Sequence, residues 1–399
     1  MKSTLALSLA ATILAGSPAV AQIAVMVADG KQLRPDDDVP GVTPDEVSIL
    51  DLGSYPPRVL ATVSAPTSIT GPAGTVAVAR DGQFAIFTAS QRIDPADPGK
   101  LLSDDLVSLV DLREPASPRV SPPAHAAMGA GGVTLNAEGS LALVASAEAN
   151  AVTAFAVTEG ALTRVAQIEL PKGALPSAIA FTPDGRRALV VRRGDSRISI
   201  IDVTGASVTL SPVEITPGRT PYGVSISPDG AHAFVSNLGG AATRAEIDAP
   251  PPPSGAPPPP RRPGTVSVLD LRTDALVNSV EVGATPEAMA LSADGTMLAV
   301  VVANGASVQK LAANYDSTSG LLRLFAVEGA KLTPLDTVRN GHWCQGVVFS
   351  DDGKTLLVTC GAERHVEVYR IEEGRLLRDE AATIPTRSRG SSIATARSR

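Results

Sequence analysis

Short apolar runs alternate with tight-turn dipeptides along almost the whole chain. Asp-Gly is the recurrent dipeptide, and each copy follows one apolar stretch and precedes another. The copies are Asp81-Gly82, Asp184-Gly185, Asp229-Gly230, Asp294-Gly295 and Asp352-Gly353, with Glu138-Gly139 as a degenerate sixth. Because glycine accepts the positive φ that such a turn demands, this pattern predicts a series of β-hairpins.

The strand that follows each hairpin has a recurrent form in which apolar positions alternate. Its seven copies are VSILDL (47–52), LVSLVDL (106–112), VTAFAV (152–157), ISIIDV (198–203), VSVLDL (266–271), LLRLFAV (321–327) and VEVYRI (366–371). With the flanking runs they define a unit of four strands, a to d, which repeats about every 45 residues, a period typical of propellers and other arrays. The b and c strands are nearly continuous apolar runs, as expected where both faces of a sheet are covered.

The two ends of the chain supply complementary parts of one unit. Ile23 to Ala28, Val47 to Leu52 and Val59 to Val63 match strands b, c and d, and Ser391 to Thr395 matches strand a. A blade built from both termini closes a ring and removes exposed sheet edges. We therefore predict an all-β fold, a seven-bladed β-propeller of four-stranded antiparallel blades whose terminal strands share one blade. An open repeat array is the alternative.

These repeats resemble a known family, the YVTN-type β-propeller repeats. The resemblance rests on Gly264 to Asp270, Val280 to Gly283, Pro286, Phe234 to Asn237 in place of Tyr-Val-Thr-Asn, and the turns Thr182 to Gly185 and Ser227 to Gly230. It extends over nearly all of the chain after residue 21. It implies the propeller fold, and it points to a group that includes surface and periplasmic binding proteins and lactonases similar to 6-phosphogluconolactonase. Fold-level resemblance does not choose between these functions.

The first 21 residues have the pattern of a secretory signal peptide. Lys2 is followed by the apolar run Leu5 to Ala15 and by the small-x-small site Ala19 to Ala21. We therefore expect residues 1–21 to be a signal peptide, residues 22–399 to be a single propeller domain, and the protein to be periplasmic or secreted. A retained N-terminal anchor is the alternative. No other apolar run is long enough to span a bilayer, so we expect no membrane span.

Composition narrows the classes of partner. The 399 residues carry a net charge of −7, with 34 Lys and Arg against 41 Asp and Glu. Such an acidic balance argues against nucleic acid as a partner, because binding to the phosphate backbone needs a basic surface. The remaining expected partner is a protein or a small-molecule ligand, and we expect a monomer.

Departures from the repeat are concentrated between strands b and c. The insertions are Gly30 to Glu46, Gln91 to Asp105, Gly239 to Pro263 and Gly305 to Gly320. In a propeller the b–c and d–a connections share one face, so all four insertions decorate the same rim, where binding surfaces are usually built. Tolerated neutral insertion is the alternative. The Pro-rich part of the third insertion, about residues 240–263, is expected to be extended, as a docking arm or a solvated spacer.

Two of these insertions are acidic. Asp36 and Asp38 lie in the first, and Asp94 and Asp97 lie in the second. A solvated acidic face is the default interpretation of these residues, and we expect no cofactor. Clustered carboxylates are the ligands that calcium takes, so a calcium site is the alternative, although no EF-hand spacing is present.

The d–a loops are expected to meet at the mouth of the central channel on that rim. Alignment of the a strands brings together the candidate ligand-binding residues Arg219, Tyr222, Glu287, His342, Trp343, Gln345, Arg387 and Arg389. Arginine forks suit anionic oxygens, and Trp offers a stacking face. Glu287 or His342 could activate water for ester or lactone hydrolysis, and they are the candidate catalytic residues. No lactonase catalytic residue can be matched individually to this chain.

The two cysteines are predicted to pair. The turn Asp351 to Gly353 is expected to place Ser350 opposite Lys354, and the same register places Cys344 directly opposite Cys360. This separation suits a disulfide, and an exported protein meets oxidising conditions. Two buried thiols are the alternative.

Three functional hypotheses follow. The leading one is an exported, non-catalytic propeller that binds a ligand or protein partner through its rim and channel mouth. The alternative is a lactonase-like hydrolase that acts at the channel mouth with Glu287 or His342. The third is a structural surface protein.

Overall fold

The computed structural model describes residues 22–32, 43–69, 74–249, 262–307, 314–315 and 317–396. The predicted signal peptide, Asp36, Asp38 and most of the Pro-rich insertion lie outside these residues. Within the described ranges, no helix is long and apolar enough to cross a membrane.

Seven antiparallel sheets form a closed ring, so the predicted seven-bladed β-propeller is confirmed. Numbered along the chain, with strands given from the channel outward, blade 1 contains Arg389–Thr395, Ile23–Asp29, Glu46–Asp51 and Arg58–Ser64. Blade 2 contains Val76–Val78, Phe84–Asp94, Asp97–Asp111 and Arg119–Val120, and Ala124–His125 also pairs with its third strand. Blade 3 contains Ala130–Leu135, Leu141–Ser146, Ala151–Thr158 and Ala161–Glu169.

The remaining four blades follow the same order. Blade 4 contains Pro176–Phe181, Arg187–Arg192, Arg197–Thr204 and Ser207–Ile215. Blade 5 contains Pro221–Ile226, His232–Asn237, Gly264–Asp270 and Ala275–Gly283, with the α-helix Arg244–Asp248 between its second and third strands. Blade 6 contains Pro286–Leu291, Met297–Val302, Gly320–Glu328 and Lys331–Asn340. Blade 7 contains Cys344–Phe349, Thr355–Cys360, His365–Glu372 and Arg375–Arg378, together with the 3-10 helix Glu380–Ala382 and the strand Ile384–Pro385.

The ring closes through blade 1, where both termini meet as predicted. Met26 in the N-terminal strand pairs with Ile393 of the C-terminal strand on one side and with Ser48 on the other. This arrangement gives both edges of the N-terminal strand a hydrogen-bonding partner.

Apolar side chains between neighbouring blades form the core. Each of the seven blade interfaces has its own buried cluster. Between blades 5 and 6, for example, Phe234 and Phe325 are fully buried in one cluster. Blades packed on both faces explain why the second and third strands are apolar at almost every position.

The turn between the first and second strands of blade 7 is one residue longer than expected. Gly353 has the predicted positive φ of 68°. However, the Ser350 N–H donates to the Thr355 carbonyl at 2.8 Å, so Ser350 faces Thr355 and not Lys354. A bulge between Cys344 and Gly346 then restores the pairing of Cys344 with Cys360, and the two form a disulfide.

The insertions share one face with the d–a loops, which we call the rim face. The second insertion is mostly a hairpin, because the middle strands of blade 2 continue outward and pair Gln91 with Ser103. The third insertion contains the short helix, where Thr243 and Glu246 form a capping box. Contacts between the two loop sets, such as His125 Nδ1 to Asp105 Oδ1 at 2.8 Å, place them side by side.

Candidate functional site at the channel mouth

The inner strands of blades 4 to 7 begin in the same way. The residue before each strand has a positive φ, as at Leu175, Thr220, Thr285 and Trp343. A register shift follows at once, so the second residue or two of the strand leave the regular pairing. This bulge re-aims one side chain per blade, which is a common device beside functional sites.

A channel cavity of about 390 Å³ lies inside the ring and is lined by the seven inner strands. Small residues keep it open, among them Gly223, Ala288 and Gly346. Gly346 is also required by packing, since a Cβ there would lie 2.8 Å from Thr359 Oγ1. The space is sufficient for a small ligand.

Glu287 is a carboxylic acid that one of these bulges places in a buried position. Its side chain is buried, and Gln345 Nε2 donates to Glu287 Oε2 at 2.8 Å. Burial raises the pKa of the Glu287 carboxyl to about 7, and the Gln345 hydrogen bond opposes this only in part. Near neutral pH, Glu287 is therefore able both to hold and to release a proton.

Gln345 connects this carboxyl to the channel. It is itself buried, and it lines the cavity. Its Oε1 atom is buried without a hydrogen-bond partner among the described residues. A buried acceptor of this kind is costly unless a ligand or water fills the place beside it.

Tyr222 is the third member of this inner group. Burial and the charge of Glu287 raise the pKa of its hydroxyl, while Arg193 acts in the opposite direction. Tyr222 therefore stays neutral and can donate a hydrogen bond. We call Tyr222, Glu287 and Gln345 the inner group.

His342 lies in a different setting. Its Nδ1 is 2.7 Å from Glu363 Oε1, its Nε2 is 3.0 Å from the Tyr315 carbonyl oxygen, and its ring stacks on Tyr315 at 3.8 Å. Its backbone N–H also donates to Glu363. Both ring nitrogens are thus engaged by the loops around them, which suits a positioning role for His342.

The remaining mouth candidates do not form one cluster with Glu287. Arg389 is buried, donates to the Gly361 carbonyl at 2.9 Å and lies over the Trp343 ring at 5.6 Å. Arg387 is exposed, and its charge acts on Glu46 in blade 1. Arg219 lines a separate cavity on the rim face.

The acidic insertion residues that the structure describes are turn residues. Asp94 Oδ1 accepts from the Ala96 N–H at 2.9 Å, and Asp97 Oδ1 accepts from the Gly99 N–H at 3.1 Å. They close the tip of the blade 2 hairpin. Asp36 and Asp38, the other two calcium candidates, lie outside the described residues.

Sequence reasoning missed Glu363, Tyr315 and Arg193. All three lie between second and third strands, beside the d–a loops. The shared face of these loops was predictable from the repeat. Which of their side chains meet was not, because that depends on bulges and turn lengths that the repeat pattern leaves open.

Comparison with known proteins supports the fold. Residues 105–241, about a third of the chain, match the model of the family described as lactonase, seven-bladed β-propeller. No curated protein matches the chain. The resemblance drawn from the repeats is therefore confirmed for the fold and for this part of the sequence.

Solved structures share the architecture at low identity. A candidate 6-phosphogluconolactonase from Bacteroides fragilis has a TM-score of 0.67 at 15% identity, and the match covers 95% of this chain and 99% of that one. The periplasmic gluconolactonase PpgL from Pseudomonas aeruginosa has a TM-score of 0.64 at 14% identity, with 94% and 99% covered. Hydrazine synthase from Kuenenia stuttgartiensis has a TM-score of 0.58 at 18% identity, with 83% and 91% covered. Since such different activities share this fold, these likenesses establish architecture alone.

Proposed function

We propose that this propeller hydrolyses a lactone at the rim end of its channel, with Glu287 as the general base. One observation carries the proposal: Glu287 is a buried carboxyl, next to the channel cavity, with a pKa raised to about 7. A general base works best when its pKa lies near the working pH. The match of residues 105–241 to the lactonase propeller model supports the choice of a lactone.

The inner group supplies the steps that hydrolysis needs. Ionised Glu287 removes a proton from water as the water oxygen bonds to the lactone carbonyl carbon. The ring C–O bond then breaks, and the proton passes to the leaving alkoxide, which gives a hydroxy acid. The neutral Tyr222 hydroxyl is a donor for the developing oxyanion, and the free Gln345 Oε1 is an acceptor for a substrate hydroxyl.

The direct test is turnover of sugar and acyl lactones by the purified chain from Gln22 onward. Glu287→Gln keeps the shape of the side chain and removes the base, so kcat/KM is expected to fall about 100-fold or more. His342→Gln is the matched control, and it should stay within about fivefold, because both ring nitrogens of His342 contact Glu363 and Tyr315. Absence of turnover, or equal activity in Glu287→Gln and the parent, would overturn the proposal.

The second candidate is binding of a protein or ligand at the rim face without catalysis. The extended hairpin of blade 2 favours it, because residues 96–100 at its tip are exposed. Shortening this hairpin at the Gln91–Ser103 pair should abolish capture of a partner and leave lactone turnover unchanged. Capture that survives the deletion would exclude the hairpin as the binding element.

We also propose that the protein is exported. The signal pattern in residues 1–21 and the Cys344–Cys360 disulfide support this, since disulfides persist in oxidising compartments. Cell fractionation and the mass of the mature chain test it. The expected product begins at Gln22 outside the cytoplasm, and a cytoplasmic chain that retains residues 1–21 would contradict export.

A further inference from the structure

A second cavity lies on the rim face between blades 4 and 5. It has a volume of about 530 Å³. Its walls are the turn Arg192 to Arg197 of blade 4, the end of the blade 4 outer strand at Glu214, the d–a loop at Arg219, and the helix Arg244–Asp248 of blade 5. We call it the arginine pocket.

The charges of the arginine pocket do not balance. Among the described residues, five guanidinium groups and three carboxylates line it, which leaves an excess of two positive charges. The guanidinium groups belong to Arg192, Arg193, Arg197, Arg219 and Arg244, and the carboxylates belong to Asp195, Glu214 and Asp248. This local excess of positive charge contrasts with the net charge of −7 of the whole sequence.

Three of the arginines are already paired. Arg192 is buried and contacts Asp195 and Glu214 as ion pairs, and its Nη1 donates to Ser199 Oγ at 2.9 Å. These contacts give two of the three acids an arginine partner and fix the blade 4 turn.

The third acid is neutralised on the other wall. Asp248 forms an ion pair with Arg197 across the blade boundary, and Arg244 Nε lies 3.3 Å from Asp248 Oδ2. The insertion helix is thereby tied to blade 4. The frame of the pocket is thus held by the protein's own ion pairs, and an incoming ligand does not have to order it.

Arg193 and Arg219 are the two remaining arginines of the arginine pocket. Among the described residues, neither guanidinium has a hydrogen-bond or ion-pair partner, and both residues are half-buried. Their loops are joined, because the Thr220 N–H donates to Ser196 Oγ at 3.0 Å. A guanidinium fork matches two oxygens of a carboxylate or phosphate, so two free forks match two negative charges.

We infer that the arginine pocket binds a compact dianion, a phosphate group or a small dicarboxylate, through Arg193 and Arg219. The site is separate from the inner group, although the charge of Arg193 reaches Tyr222. The inference does not depend on lactone hydrolysis, since binding can be measured without turnover.

Isothermal titration of the purified chain with inorganic phosphate, succinate and acetate at constant ionic strength tests this inference. Phosphate or succinate should bind saturably at one site, and the stronger of the two identifies the ligand class. Acetate, with a single charge, should bind at least about tenfold more weakly than the better dianion. No saturable binding of either dianion up to about 10 mM would overturn the inference.

Variants locate the site. Arg193→Gln and Arg219→Gln should each weaken binding about tenfold or more. Arg164→Gln removes the same charge from the outer strand of blade 3 and should change binding less than about twofold. Equal weakening in all three variants would show general charge attraction and contradict the site. Circular dichroism melting verifies folding, and Arg219→Gln alone is sufficient to decide if Arg193→Gln does not fold.

Discussion

Glu287 and His342 lie near the starts of the inner strands of blades 6 and 7, yet their surroundings differ. In the part of the chain that the structure describes, the Glu287 side chain has one hydrogen-bond partner, Gln345, and burial raises the pKa of its carboxyl to about 7. His342 has an oxygen atom within hydrogen-bonding distance of each ring nitrogen, and its ring stacks on that of Tyr315. The raised pKa makes Glu287 a candidate for proton exchange, whereas the contacts of His342 fix the orientation of its ring.

The backbone explains this difference. Glu287 lies within the bulge that starts the blade 6 inner strand, and that bulge brings it against Gln345 of blade 7. His342 lies before the positive-φ residue Trp343, and so it belongs to the loop that meets Glu363. A difference of a few residues in position relative to the bulge therefore separates a buried carboxyl beside the channel from a histidine held by the surrounding loops.

The sharpest test of this contrast is the pH dependence of stability in Glu287→Gln. The folded-state pKa of Glu287, about 7, lies above its ordinary value of 4.5. The folded protein therefore holds this proton more tightly than the unfolded chain does. The contribution of Glu287 to the free energy of unfolding of the parent should be fully present below pH 4.5, fall by about 3 kcal/mol as the pH rises to 7, and then level off.

Urea unfolding of parent and variant at several pH values between about 4 and 8 measures this contribution. Glu287→Gln should gain on the parent by about 3 kcal/mol across that range. Glu159→Gln, at an exposed turn of blade 3, is the control and should show no such trend. A constant difference between Glu287→Gln and the parent would show that Glu287 titrates normally in the folded protein.

The disulfide joins the two regions, because Cys344 lies between His342 and Gln345. Cys344→Ala with Cys360→Ala removes a cross-link over a separation of 16 residues. Loss of that loop constraint should lower the free energy of unfolding by about 3 kcal/mol. Urea unfolding with and without reductant should show the same loss in the parent. A parent insensitive to a reductant that demonstrably opens the bond would contradict this.

Much of the architecture could be predicted from the repeat. Seven copies of one strand pattern and a split terminal unit determine the blade count and the closure, since apolar patterning reflects which faces are buried. Cys344 was paired correctly with Cys360, although the expected turn at Ser350 was one residue too short and the bulge after Cys344 compensated. Local irregularities of this kind leave little trace in a periodic pattern.

The site was less predictable for the same reason. Alignment of the inner strands selected Glu287, Gln345 and Tyr222, which do lie near each other. The same alignment grouped Arg219 and Arg387 with these residues, but the structure places the two arginines elsewhere on the rim face. Equivalent positions in a repeat share backbone geometry. However, the direction of a long side chain at such a position depends on the charged residues nearest to it.

Glu363→Gln tests the structural side of the comparison. The glutamine amide cannot accept hydrogen bonds from the ring and backbone of His342 as the Glu363 carboxylate does. The free energy of unfolding should therefore fall by about 1–3 kcal/mol. The fluorescence of Trp343, the single Trp, provides a local probe. If Glu363→Gln abolished lactone turnover as completely as Glu287→Gln, His342 and Glu363 would belong to the catalytic machinery.

The smallest effect is expected at the tip of the blade 2 hairpin, which lies outside both regions. Asp97→Asn retains an oxygen acceptor for the Gly99 N–H, so the free energy of unfolding should change by less than about 0.5 kcal/mol. Calcium titration of the parent and Asp97→Asn followed by thermal melting tests the calcium hypothesis at the same residue. A calcium-dependent rise in Tm that Asp97→Asn removes would establish an ion site there.

The pH–rate profile of kcat/KM for lactone hydrolysis tests the central claim most directly. If ionised Glu287 is the base, kcat/KM should rise with pH and reach a plateau, with an apparent pKa of about 7. Glu287→Gln should lose this inflection together with most of the rate. An inflection near pH 7 that persists in Glu287→Gln, or a profile that is flat through pH 7, would contradict the assignment of Glu287 as the base.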